Sequence, residues 1–65
     1  MSPQLLRSLR RLEGHHVQVC LQDGSRLDCE LVSSARRAGT VWLHEDGGSD
    51  VFVRADAIVE LREIA

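Results

Sequence analysis

The stretch Val17-Gln18-Val19-Cys20-Leu21-Gln22-Asp23-Gly24-Ser25-Arg26-Leu27-Asp28-Cys29-Glu30-Leu31 decides the fold. Val17, Val19 and Leu21 alternate with polar neighbours, and so do Leu27, Cys29 and Leu31. A period of two marks a pair of half-buried strands, and Asp23-Gly24 marks the turn between them. Parity selects the loop. A two-residue turn at Asp23-Gly24 pairs Leu21 with Arg26, which puts an apolar and a charged residue on one face, because directly opposed residues share a face. A three-residue loop, Gln22-Asp23-Gly24, pairs Leu21 with Ser25, Val19 with Leu27 and Val17 with Cys29. It also puts Gly24 at the left-handed position such a loop needs. The three-residue loop is therefore expected.

Working outward, Ser2-Pro3 is a helix start, with serine as cap and proline at the first helical position. Leu5, Leu6, Leu9 and Leu12 recur at helical spacing, and Arg7, Ser8, Arg10 and Arg11 take the rest of the surface. The helix is expected over about 3–13, closed by Gly14. Downstream, the second strand runs through Val32 into Ser33-Ser34-Ala35, and Arg36-Arg37-Ala38-Gly39 is a turn with a basic tip. Thr40–His44 is a third strand, with Val41 and Leu43 inward and Thr40, Trp42 and His44 outward. Glu45–Asp50 is an acidic, glycine-rich loop. Val51–Arg54 is a fourth strand, with Phe52 and Arg54 outward. Ala55-Asp56-Ala57 breaks the alternation, and Ile58–Ile64 is a last strand suited to an edge. One helix and five short strands, all within 1–65, predict a single, mainly β domain: a strongly bent antiparallel sheet or SH3-like barrel.

Sixty-five residues leave little room for a core. A chain of this size buries only about 60% of its unfolded surface, so disulfides, a metal or a partner subunit often supplement it. With one Trp, one Phe and no Tyr, the core must be mostly aliphatic, which favours a partner subunit. Cys20 and Cys29 point to opposite faces of the hairpin, a poor geometry for a disulfide, and read as reduced thiols. No signal peptide or membrane span is visible, so a cytoplasmic location is expected. His15 and His16 are strand neighbours that point apart, and Cys20, Cys29 and His44 complete no zinc spacing, so neither metal nor cofactor is expected.

The net charge of -2 argues against a protein that coats nucleic acid by bulk charge, but it leaves room for a local basic site. All eight cations are arginine, including Arg7, Arg10, Arg11 and the pair Arg36-Arg37. Arginine suits planar contacts to phosphate or carboxylate. Trp42 and Phe52 fall on the polar face. They mark a binding patch or subunit contact, or else they are covered by the helix or by curling of the sheet. No nucleophile with a base, no paired carboxylates in a recognisable context and no phosphate-cradling loop are present, so a non-catalytic role is expected.

The first hairpin, Val17-x-Val19-x-Leu21-x-Asp23-Gly24-x-x-Leu27-x-x-x-Leu31, resembles the first motif of the Sm-like family, which includes the LSm proteins and the bacterial Hfq group. Val53-Arg54-Ala55-Asp56-Ala57-Ile58-Val59-Glu60-Leu61 is similar to its short second motif. The resemblance covers nearly the whole chain. It implies a helix-capped five-stranded barrel and a homo-oligomeric ring, a hexamer or heptamer, in which the fourth strand of one copy pairs with the fifth of the next. It also implies single-stranded RNA as ligand. Carried over by position, the RNA-binding candidates are Arg36, Arg37, Thr40, Arg54 and Asp56. Thr40 stands where the family usually has asparagine, Arg54 matches the family's arginine, and Ala55 stands where glycine is usual. The alternative is a protein-binding scaffold of the same fold, with Trp42 and Phe52 meeting the partner.

Overall fold

A computed structural model describes residues 3–34 and 39–64. Proline opens helix α1 (Pro3–Arg11), which turns Leu9 fully into the core and leaves Arg7, Arg10 and Arg11 in solvent. The helix is shorter than its leucine spacing suggested. Past Arg11 the chain tightens, with the Glu13 amide on the Arg10 carbonyl at 3.4 Å and the His15 amide on the Leu12 carbonyl at 2.9 Å. Glu13 is drawn off the helix axis to Ser34, taking its amide at 2.8 Å and its hydroxyl at 2.5 Å. Leu12 stays buried beyond the helix end. The expected Ser2 cap lies outside the described residues.

Five strands follow: β1 (His16–Leu21), β2 (Arg26–Ser34), β3 (Thr40–Glu45), β4 (Asp50–Arg54) and β5 (Ile58–Glu63). They form one antiparallel sheet in the order β4-β3-β2-β1-β5. Each step from β1 to β4 is a connection between neighbours, and only β5 crosses back to the far side of β1. The expected three-residue loop is present: Val17 opposes Cys29 and Val19 opposes Leu27, and the Leu21 amide meets the Ser25 carbonyl at 2.9 Å. Gly24 sits at φ 91°, where any Cβ would be strained.

Alternation then sorts the side chains. Val17, Val19, Cys29, Leu31, Val41 and Leu43 are fully buried on the inner face, with Leu9 and Leu12 above them and Ala55 and Ile58 closing one side. This aliphatic burial is the main stabilising term, about 1.5–3 kcal/mol per fully covered Val or Leu as an upper bound. Two register shifts, at Cys20/Leu21 and Leu31/Ser33, let the sheet bend around that core.

Of the two expected forms, a strongly bent antiparallel sheet or a barrel, the structure has the antiparallel sheet, and it is not closed into a barrel. Among the described residues no ladder joins β4 to β5, and these two strands are its edges. The chain passes between them in a single 3-10 turn, Ala55–Ala57, the segment where the alternation breaks. Its Ala55 amide is tied to the Gly39 carbonyl at 2.5 Å. That turn carries the chain from one edge to the other without bringing their backbones into register. No described helix is long and apolar enough to cross a membrane.

Candidate nucleic-acid interface

The outer face of the β3–β4 hairpin carries three cross-strand pairs in sequence: Thr40 with Arg54, Trp42 with Phe52, and His44 with Asp50. Their order follows from alternation, since each strand sends every second side chain outward. Of the candidates read from the sequence, Thr40, Arg54, Trp42 and Phe52 thus form one strip. Rows two residues apart are separated by about 7 Å along the strand.

At one end, Arg54 reaches over the 3-10 turn to Asp56. Its Nε donates to Oδ1 and its Nη2 to Oδ2, both at 3.3 Å. The two side chains are 81% and 61% exposed, so solvent screens the pair and its worth is about 0–1 kcal/mol. The turn is held from below by Gln22, whose side chain donates to the Asp56 carbonyl at 3.2 Å and whose amide donates to the Ala57 carbonyl at 2.9 Å. The structure therefore brings Thr40, Arg54 and Asp56 together. Arg36 and Arg37 lie outside the described residues.

In the middle, the Trp42 and Phe52 rings stack with centroids 5.6 Å apart and planes 24° from parallel. Trp42 is 38% exposed and Phe52 63% exposed. Of the readings open for them, coverage by the helix is overturned: both rings are exposed, while Leu9 of α1 is buried in the core on the other face.

At the other end lies the acidic loop expected from the sequence, with His44 outward beside it; the histidine–carboxylate pairs there were not read from the sequence. His44 Nδ1 lies 2.8 Å from Asp50 Oδ1, and His16 Nε2 lies 2.7 Å from Asp46 Oδ1. Glu30 stands between the two rings, opposed to His16 on one side and to His44 on the other. The hydrogen bond His44 donates to the Asp50 carboxylate raises the His44 pKa, with Asp50, Glu30 and Asp46 adding charge attraction. Reciprocally, hydrogen bonds from His44 and then Trp42 hold Asp50 below the usual carboxylate value. His16, Glu30, His44 and Asp46 line a concavity, yet among the described residues no three histidines, cysteines or carboxylates converge to hold a metal ion. The signal for this end was available in the sequence: hairpin register places His44 and Asp50 symmetrically about their loop.

The strip offers a guanidinium and a hydroxyl, then two ring faces, then carboxylates. That is a binding chemistry with a direction, cationic at one end and anionic at the other. Compared with known proteins, the chain matches no family model and no curated protein.

Proposed function

We propose that the chain is a non-catalytic, self-assembling module of the Sm-like type that binds single-stranded RNA at the corner formed by Thr40, Arg54 and Asp56. The observation that carries this reading is the pairing of Thr40 with Arg54 at the end of an edge strand, where the guanidinium is exposed and only weakly engaged. An arginine so placed can meet phosphate oxygens in a planar, two-point contact. Arg36 and Arg37, just before Gly39 in the sequence, would add to the positive charge.

Self-assembly is supported by the two free edges of the sheet, β4 and β5, and by Val59, which is 62% exposed on β5. Unpaired edges invite strand addition, and an aliphatic core this small gains from a partner. Pairing β4 of one copy with β5 of the next would continue the sheet from copy to copy and close a ring.

A native mass spectrum of the protein purified from cells tests both parts. The expected species is a closed oligomer carrying ribonucleotide adducts. A clean oligomer would remove the RNA part and leave a scaffold, and a monomer would remove the assembly.

A further inference from the structure

The chain has one tryptophan, one phenylalanine and no tyrosine, and both rings are on the surface. That is an unusual use of scarce side chains. An aromatic ring is the largest apolar group a small core can bury, yet here the core holds only aliphatic side chains and Cys29. The rings are also ordered. Phe52 stacks on Trp42 with centroids 5.6 Å apart and planes 24° from parallel. They stand on paired strands, so little rotamer freedom remains to be lost when something binds.

We infer that Trp42 and Phe52 form a stacking platform for a base of single-stranded RNA whose adjoining phosphate is held by Arg54. This rests on the RNA reading above and adds a base site to it. The row spacing suits it: Arg54 lies one row, about 7 Å, beyond Phe52 on the same face, a separation that spans phosphate to base. Charge sets the direction. Phosphates are drawn to the Arg54 end and repelled from the end that holds Asp50, Glu30 and Asp46, so the base is turned toward the rings. Ring faces on a sheet accept any base, since every base has a π face, so the platform contributes affinity with little sequence preference.

The single tryptophan is the reporter. A dye-labelled single-stranded RNA of about 10 nucleotides, within the usual range of site sizes, is titrated by anisotropy, and the unlabelled RNA by Trp42 emission. The expected result is quenching of Trp42 with the same midpoint as the anisotropy. Phe52→Leu keeps an apolar side chain and removes the ring. It should weaken binding about tenfold and leave the salt dependence unchanged, while Phe52→Tyr restores affinity. Arg54→Ala should weaken binding and lower the salt slope by about one. Both positions are exposed, and circular dichroism verifies that the variants fold. RNA binding with unchanged Trp42 emission and a normal Phe52→Leu variant overturns the platform and leaves the Arg54 corner standing. No binding at low salt overturns both, and the rings then pass to a protein partner.

Discussion

The two hairpins turn alike and serve different ends. In β1–β2 the Leu21 amide meets the Ser25 carbonyl at 2.9 Å and the Gly24 amide meets the Leu21 carbonyl at 2.9 Å. In β3–β4 the Glu45 amide meets the Ser49 carbonyl at 2.7 Å and the Gly48 amide meets the Glu45 carbonyl at 2.8 Å. Each loop closes on a left-handed glycine, Gly24 at φ 91° and Gly48 at φ 101°, followed by serine. The central strands each turn two apolar side chains into the core, Val17 and Val19, Cys29 and Leu31, and Val41 and Leu43. The difference is outside. β1 and β2 are covered by a strand on both sides, and their outer row pairs Gln18 with Asp28 in a 3.1 Å hydrogen bond. β3–β4 ends in a free edge, and its outer rows hold arginine, two rings and a histidine–carboxylate pair. Inner faces set the fold, and outer faces are left for function.

Truncation separates the two roles most sharply. Leu31→Ala on the first hairpin and Leu43→Ala on the second each remove a fully buried side chain, and each should cost about 2–5 kcal/mol. Phe52→Ala removes a larger but mostly exposed side chain and should cost less than about 1 kcal/mol. Urea midpoints at constant slope measure all three. A Phe52 cost equal to that of Leu31 would make the ring pair structural and erase the distinction.

The loops should respond alike. A Cβ added at Gly24 or at Gly48 meets nothing within 4 Å, so the whole cost of Gly24→Ala or Gly48→Ala is conformational. About 1–2 kcal/mol is expected at each, or a fall in melting temperature of about 4–8 °C per kcal/mol for a domain of this size. Unequal shifts would mean that one loop relaxes out of the left-handed geometry, and the likeness of the hairpins would fail.

How much of this was legible in the sequence follows from what is local. The first loop was readable because parity allowed one register for Val17, Val19, Leu27 and Cys29. The same period placed Trp42, Phe52 and Arg54 outward. Closure was not readable: whether β4 meets β5 depends on accumulated bend, which no stretch of residues encodes by itself. Nor was the helix end, because Glu13 leaves the helix for Ser34, a partner 21 residues away. The site was legible in part. Thr40, Arg54 and Asp56 do come together, but their merger with the Trp42–Phe52 pair needed the β3–β4 register, and so did the His44–Asp50 pair.

That last pair gives the smallest expected effect and the finest contrast. The folded protein raises the His44 pKa above its ordinary 6.5, chiefly through the Asp50 hydrogen bond. Protonated His44 is therefore favoured by folding. Its contribution is fully present below the unfolded value and is lost as pH rises through the higher folded value. Asp50 is held below its ordinary 3.8, so its own contribution is present above that value and is lost as pH falls through the lowered one. The β3–β4 hairpin should thus be tightest in mildly acidic solution. The row at the same place in β1–β2, Cys20 with Arg26, holds no histidine. Melting temperatures at about pH 6 and about pH 8 should differ less in a His44→Gln variant than in the parent. In the parent, the His44 ring should titrate above 6.5 by nuclear magnetic resonance. A ring that titrates at or below that value would show the pair open in solution, and the outer row of β3–β4 would then be held by its rings alone.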